Sequence, residues 1–133
     1  MIREIKLRGR STNSGKWLYG CLLKNEEGKF AVVKPFKVNM DNECSCCEVD
    51  EETIGQFTGL KDKNNKEIYE GDIVLQQGYN GKKIPMVVKF ENGAFIVGYH
   101  KGSSTRKTPM LVSSKCEVIG NIYDNINLLE DGK

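Results

Sequence analysis

Gln56-Phe57-Thr58-Gly59-Leu60-Lys61-Asp62-Lys63-Asn64-Asn65-Lys66-Glu67-Ile68-Tyr69-Glu70-Gly71-Asp72-Ile73-Val74 is the stretch that decides the fold. Thr58-Gly59 interrupts an apolar segment and predicts a turn. Lys63 to Lys66 is polar, with Asn64 and Asn65 at its centre. Asn tolerates left-handed backbone angles, so this pair predicts a tight type I′ turn. Gly71-Asp72 predicts a second reversal, and Ile73-Val74-Leu75 has the β-branched, apolar character of a strand start. Reversals this close together, between short apolar runs, describe a compact β-rich module.

The same grammar extends in both directions. On the N-terminal side, Ile5 and Leu7 alternate with charges, and Ser11 to Gly15 are turn formers. Trp17, Tyr19, Cys21 and Leu23 then alternate with Leu18, Gly20 and Leu22, which predicts a strand covered on both faces. Asn25 to Gly28 turns the chain, and Phe30 to Val33 is a third strand, ended by Pro35. Residues 37–52 read as an exposed acidic loop, with Asp50 capping a single helical turn that delivers Ile54 to the core. On the C-terminal side, strands are predicted over Asp72–Gln77, Ile84–Phe90, Ala94–Tyr99, Met110–Val112 and Cys116–Ile122. Asn92-Gly93 is the clearest hairpin signal, and Lys101–Lys107 reads as a polar basic loop. Asn125–Leu129 is a short terminal turn.

Three blocks of the chain resemble the YopX-like proteins, a phage- and prophage-associated family. They are the quoted run, the opening Arg3-Glu4-Ile5-Lys6-Leu7-Arg8, and the closing Val118-Ile119-Gly120-Asn121-Ile122-Tyr123-Asp124-Asn125 with Leu128-Leu129. Asn65 stands where the family has Gly, and Ile126 where it has Pro. The resemblance implies a mostly β fold with an SH3-like barrel portion. It implies no activity and brings no catalytic residues. The expected architecture is an N-terminal β-meander (residues 1–55, holding the acidic Cys-containing loop 37–52) packed on a C-terminal SH3-like small barrel with its tail (residues 56–133). Together they are expected to form one intertwined domain.

Composition sets the outer limits. A chain of 133 residues, 38% hydrophobic and 29% charged, is globular in type. At this size roughly two-thirds of the unfolded surface is buried on folding, so neither disulfide nor metal is required. The opening residues carry charge throughout and lack an apolar targeting core. No apolar run approaches the roughly 20 residues that span a bilayer. A cytoplasmic location in the host cell, without membrane attachment, is the expectation.

The search for chemistry finds little. Cys44 and Cys47 form a Cys-x-x-Cys with Cys46 between them, and Cys21, Cys116 or His100 would have to complete a zinc site. Structural zinc sites bring two close ligand pairs, and here the other candidates are isolated, so neither metal nor cofactor is expected. His100 is the single histidine. There is no nucleophile elbow and no phosphate-binding glycine loop. Asp62, Glu70 and Asp72 sit beside turns, where carboxylates accept backbone hydrogen bonds. The turn motif Gly59, Asp62, Asn64, Asn65, Gly71, Asp72, Asn92 and Gly93 therefore reads as structural. No enzyme is expected.

Charge is unevenly spread although the net is +2. Residues 1–40 hold nine Lys/Arg against three Asp/Glu, residues 41–72 three against ten, and residues 73–107 six against one. Two readings follow. The first is non-catalytic binding to a protein partner or to itself, as a homo-oligomeric phage accessory protein. The alternative is a weak nucleic-acid-binding barrel, with Lys82, Lys83, Arg106 and Lys107 as a basic rim.

Overall fold

The computed structural model describes residues 4–33, 46–77, 82–101, 104–109 and 116–130. The chain divides into two compact units, Met1–Phe57 and Thr58–Lys133. The described residues are mostly strand.

The first unit is an antiparallel sheet of β1 (Leu7–Arg10), β2 (Trp17–Lys24), β3 (Phe30–Val33), β4 (Cys46–Glu48) and β5 (Gly55–Lys61), in the order β4-β3-β2-β1-β5. Past Phe57, β5 carries the chain into the second unit. Polar side chains build the reversals. The Ser11 hydroxyl accepts from the Asn13 and Ser14 N–H groups, and Asn25 Oδ1 accepts from those of Glu27 and Lys29. One sheet face is core, with Leu18, Val32 and Val49 buried and Leu22, Phe30, Cys47 and Ile54 packed on them. Gly9 belongs to this face because only a hydrogen fits there. A Cβ at Gly9 would lie 2.9 Å from Val49 Cβ.

Two expectations about this unit are corrected. Residues 34–45 lie outside the described set, but Cys46–Glu48 is a strand, not part of an exposed loop. It pairs Val33↔Cys46, Val32↔Cys47 and Ala31↔Glu48, so backbone pairing with β3 overrides a composition that reads as loop. The second face of β2 is not covered throughout. Tyr19 and Leu23 are 44% and 53% exposed. The helical turn is where it was expected: Glu51–Thr53 is a 3₁₀ turn whose Asp50 side chain accepts from the Glu52 N–H.

The second unit holds the end of β5, then β6 (Glu67–Tyr69), β7 (Asp72–Gln77), β8 (Lys83–Glu91), β9 (Ala94–Lys101), β10 (Ser104–Pro109), β11 (Cys116–Asn121) and a single helical turn, α1 (Asn127–Glu130). β7 to β11 form an antiparallel sheet in the order β10-β9-β8-β7-β11. Its core is Ile68, Val74, Met86, Val88, Val97, Cys116 and Val118.

Here too the structure corrects the reading of the residues. Thr58-Gly59 is no reversal. β5 runs through it, with Gly59 at φ +88° and the Thr58 hydroxyl donating to the Ile68 carbonyl. Asn65 takes φ +66° but Asn64 does not join it, so the turn is not type I′. An Asp62 side chain shapes it instead. Asn92 and Gly93 both have positive φ and close the β8–β9 hairpin. Lys101 ends β9, and Ser104–Pro109 pairs with that strand although it carries no apolar run. An edge strand draws its stability from ladder hydrogen bonds, and a polar, proline-ended sequence suits an edge. The expected strand Met110–Val112 lies outside the described residues.

The barrel expected of residues 56–133 is not closed among the described residues, where the sheet ends at β10 and β11. The physical reason lies at β11. The Cys116 carbonyl accepts from the Lys63 N–H and the Val118 N–H donates to Asp62 Oδ2. The turn after β5 therefore occupies the edge at which β10 would have to pair.

Candidate functional site

The carboxylates that the sequence places near one another serve the backbone. Asp62 is 6% exposed. Its Oδ1 accepts from the N–H groups of Asn64 at 2.8 Å and Lys66 at 2.9 Å, and its Oδ2 from that of Val118 at 2.9 Å. Burial opposes its charge. The three N–H donors and the Lys66 charge outweigh that and hold its carboxyl below the ordinary value of 3.8. Burial and then the Asp62 charge push the Cys116 thiol up. Asp72, 2% exposed, accepts from the Tyr69 N–H at 2.8 Å across the Gly71 turn. Asn121 and Asn125 build the last turn in the same way. Asn121 Oδ1 accepts from Tyr123 and Asp124, and Asn125 Oδ1 from Asn121.

Among the described residues, the neighbouring Cys46 and Cys47 of the first unit face apart. Cys46 is exposed on β4, while its neighbour Cys47 packs against the first core. Consecutive strand residues face opposite sides. Cys21 is exposed on β2, Cys116 is buried in the second unit, and Cys44 lies outside the described residues. Among the described residues no three His, Cys, Asp or Glu side chains gather to hold a metal ion. His100 pairs with Thr105 in the β9–β10 ladder.

The basic rim is drawn out along its sheet. Lys82 and Lys83 are exposed at the start of β8, with Lys83 opposite Gln77. Arg106 and Lys107 lie on β10, opposite Tyr99 and Gly98, and Gly98 pairs with Val87. Lys83 is therefore four positions along β8 from the level of Lys107, about 13 Å at 3.3 Å per residue, with β9 between their strands.

A denser constellation lies on the other face of the first unit's sheet, where Arg8 and Phe57 are buried. The register places Arg8 opposite Tyr19 and Arg10 opposite Trp17. Opposed residues share a face, so Lys6, Arg8 and Arg10 stand on the same side as Trp17, Tyr19, Cys21 and Leu23. The Arg8 and Arg10 guanidinium groups lie 4.8 and 5.0 Å from the Trp17 ring centroid, and Lys6 Nζ lies 5.0 Å from that of Phe57. Such stacking is worth about 0.5–2 kcal/mol per pair. A legible signal ran through these residues, since Lys6, Arg8 and Arg10 recur at period two before an aromatic period-two run. Ile5 and Leu7 alternate with these cations and so belong to the opposite side of the strand; Ile5 is 62% exposed.

On the core side, a shallow cleft of about 230 Å³ is lined by Thr12, Lys29, Phe30, Glu48, Asp50 and Glu51 among others. No helix among the described residues is long and apolar enough to cross a membrane.

Fold and surface thus define a mostly β protein of two antiparallel-sheet units. The chain matches the YopX protein family over residues 6–130 and belongs to that family. It is similar to the crystal structure of protein EF1440 from Enterococcus faecalis, with a TM-score of 0.62 and 24% identity, covering 96% of this chain and 99% of that one. That likeness concerns the fold. A search of curated proteins finds no significant match.

Proposed function

We propose that this protein acts by binding, without chemistry of its own, and that it assembles with copies of itself or with a protein partner as a phage or prophage accessory protein. The observation that best supports this reading is Leu23, 53% exposed on β2 beside the exposed Cys21. β2 is a paired, ordered strand whose opposite face carries the buried Leu18. Leu23 thus holds about half of a large aliphatic side chain in water on a paired strand. Burying the exposed part against another surface contributes about 1 kcal/mol, roughly half of what burying a whole leucine side chain gives. The turn carboxylates Asp62 and Asp72 give the reading further support, because backbone donors already engage both.

Light scattering tests it. Wild-type protein is expected to show a concentration-dependent mass above the 15.0 kDa of one chain. Leu23→Lys is expected to stay at the mass of one chain with an unchanged melting temperature. Wild type and Leu23→Lys associating alike would remove Leu23 from the interface, and a wild type that stays at the mass of one chain at every concentration would contradict self-assembly.

A further inference from the structure

The register of the first unit sets two thiols in one row, and we infer that Cys21 and Cys46 link copies of this chain through disulfides and do not close on each other. This deepens the self-assembly proposed above and rests on it for the contact that brings two copies together. Cys21 on β2 stands opposite Val33 on β3, and Val33 stands opposite Cys46 on β4. Directly opposed residues share a face, so both thiols leave the sheet on one side. Leu23, two residues from Cys21 on the same strand, is on that side too. Both thiols are free and exposed, while Val33 between them is buried.

The spacing forbids a bond within the chain. Adjacent strands lie about 4.8 Å apart, so two intervals separate the Cα atoms of Cys21 and Cys46 by about 9.6 Å. A disulfide closes only within about 7 Å, and β3, paired to both β2 and β4, keeps those strands apart. Cys47 packs on the core side and Cys116 is buried in the second unit. A second copy offers the same row of thiols. A surface that meets itself about a twofold axis brings like residues together, so contact at Leu23 sets these thiols beside those of the other copy.

The oxidant is a small disulfide such as glutathione disulfide. The Cys21 thiolate attacks one of its sulfurs, which forms a mixed disulfide and releases one glutathione thiolate to take up the proton that Cys21 lost. A thiolate of the second copy then attacks the Cys21 sulfur, forms the bond between copies and releases the second glutathione. Two protein thiols are oxidised and one glutathione disulfide is reduced to two glutathiones. Excess thiol drives the same steps backwards, so the link is reversible. Contact gives the second thiol a high effective concentration, which favours linkage over a thiol left capped by glutathione.

The test incubates full-length protein, freed of reductant, with excess glutathione disulfide and reads a non-reducing gel. A species of twice the 15.0 kDa chain is expected to dominate and to vanish with dithiothreitol. Cys21→Ser/Cys46→Ser is expected to lower it about tenfold at an unchanged melting temperature, since both positions are exposed. Peptide mapping is expected to join Cys21 to Cys21 or Cys46 of another copy. Protein that only becomes capped by glutathione overturns the inference. So does a Cys21–Cys46 bond within one chain, or a link that the double variant retains. Light scattering in reductant reads the underlying contact separately. Association there without linkage under oxidant sinks the thiol pairing alone, whereas linkage of a chain that stays single in reductant keeps the pairing and removes the contact at Leu23.

Discussion

Asp62→Ala is expected to destabilise the second unit by about 3–5 kcal/mol, read as a shift in the urea midpoint. The Asp62 carboxylate joins two distant parts of the chain, the turn after β5 and the edge of β11, through three backbone donors. Hydrogen bonds to a charged acceptor contribute about 1.5–3 kcal/mol each, and a buried donor left unmet costs about 1–3 kcal/mol. The N–H groups of Asn64 and Lys66 sit in an exposed turn and regain water. That of Val118 belongs to a buried residue and does not. The loss is therefore less than three full bonds and more than one.

The same carboxylate sets a pH dependence. Its folded-state value lies below the ordinary 3.8. Its contribution is then complete above that ordinary value and is lost as pH falls through the depressed one. Asp62→Asn cannot titrate, so its stability is expected to change less between neutral and strongly acidic pH than that of the wild type. Equal acid sensitivity of the two proteins would place the titrating group elsewhere.

Gly9→Ala is expected to cost the first unit about 2 kcal/mol. Gly9 is buried on β1, opposite Leu18. An added Cβ would meet Val49 Cβ and Cγ2, both at 2.9 Å. Val49 is itself 3% exposed and its backbone is held by the Ser11↔Val49 bridge, so it has little room to yield. Overpacking of this kind costs about 1–3 kcal/mol. Val49→Ala removes the obstructing carbons. The double variant Gly9→Ala/Val49→Ala is therefore expected to be more stable than the sum of the two single effects, by at least about 1 kcal/mol. Strict additivity would show that the cost arises from the backbone of Gly9 and not from Val49.

Much of the strand pattern was readable because apolar alternation and turn chemistry agreed. Asn92-Gly93 is the clearest case. Both residues take left-handed angles, and the flanking Glu91 and Ala94 pair directly. Reading failed where tertiary pairing overrules local composition. Cys46–Glu48 and Ser104–Pro109 carry no strand-like apolar run, yet β3 and β9 provide the ladders that hold them extended. Asp62 shows the same limit from another side. Its role beside a turn was legible, but its bond to Val118 spans 56 residues and no local pattern encodes it. The barrel implied by family resemblance met that bond at the edge of β11. The basic and aromatic face depends on the register Arg8↔Tyr19. The sequence offers the two period-two rows without stating which residues stand opposite.

The alkylation rate of Cys21 tests the account most directly, because this exposed thiol lies two residues from Leu23 on the face said to make contact. The rate is read by mass spectrometry on the peptide that holds Cys21, across a series of protein concentrations. Contact between copies predicts slow modification in concentrated protein, faster modification on dilution, and fast modification at every concentration in Leu23→Lys. One fast rate for wild type and variant at all concentrations would contradict it.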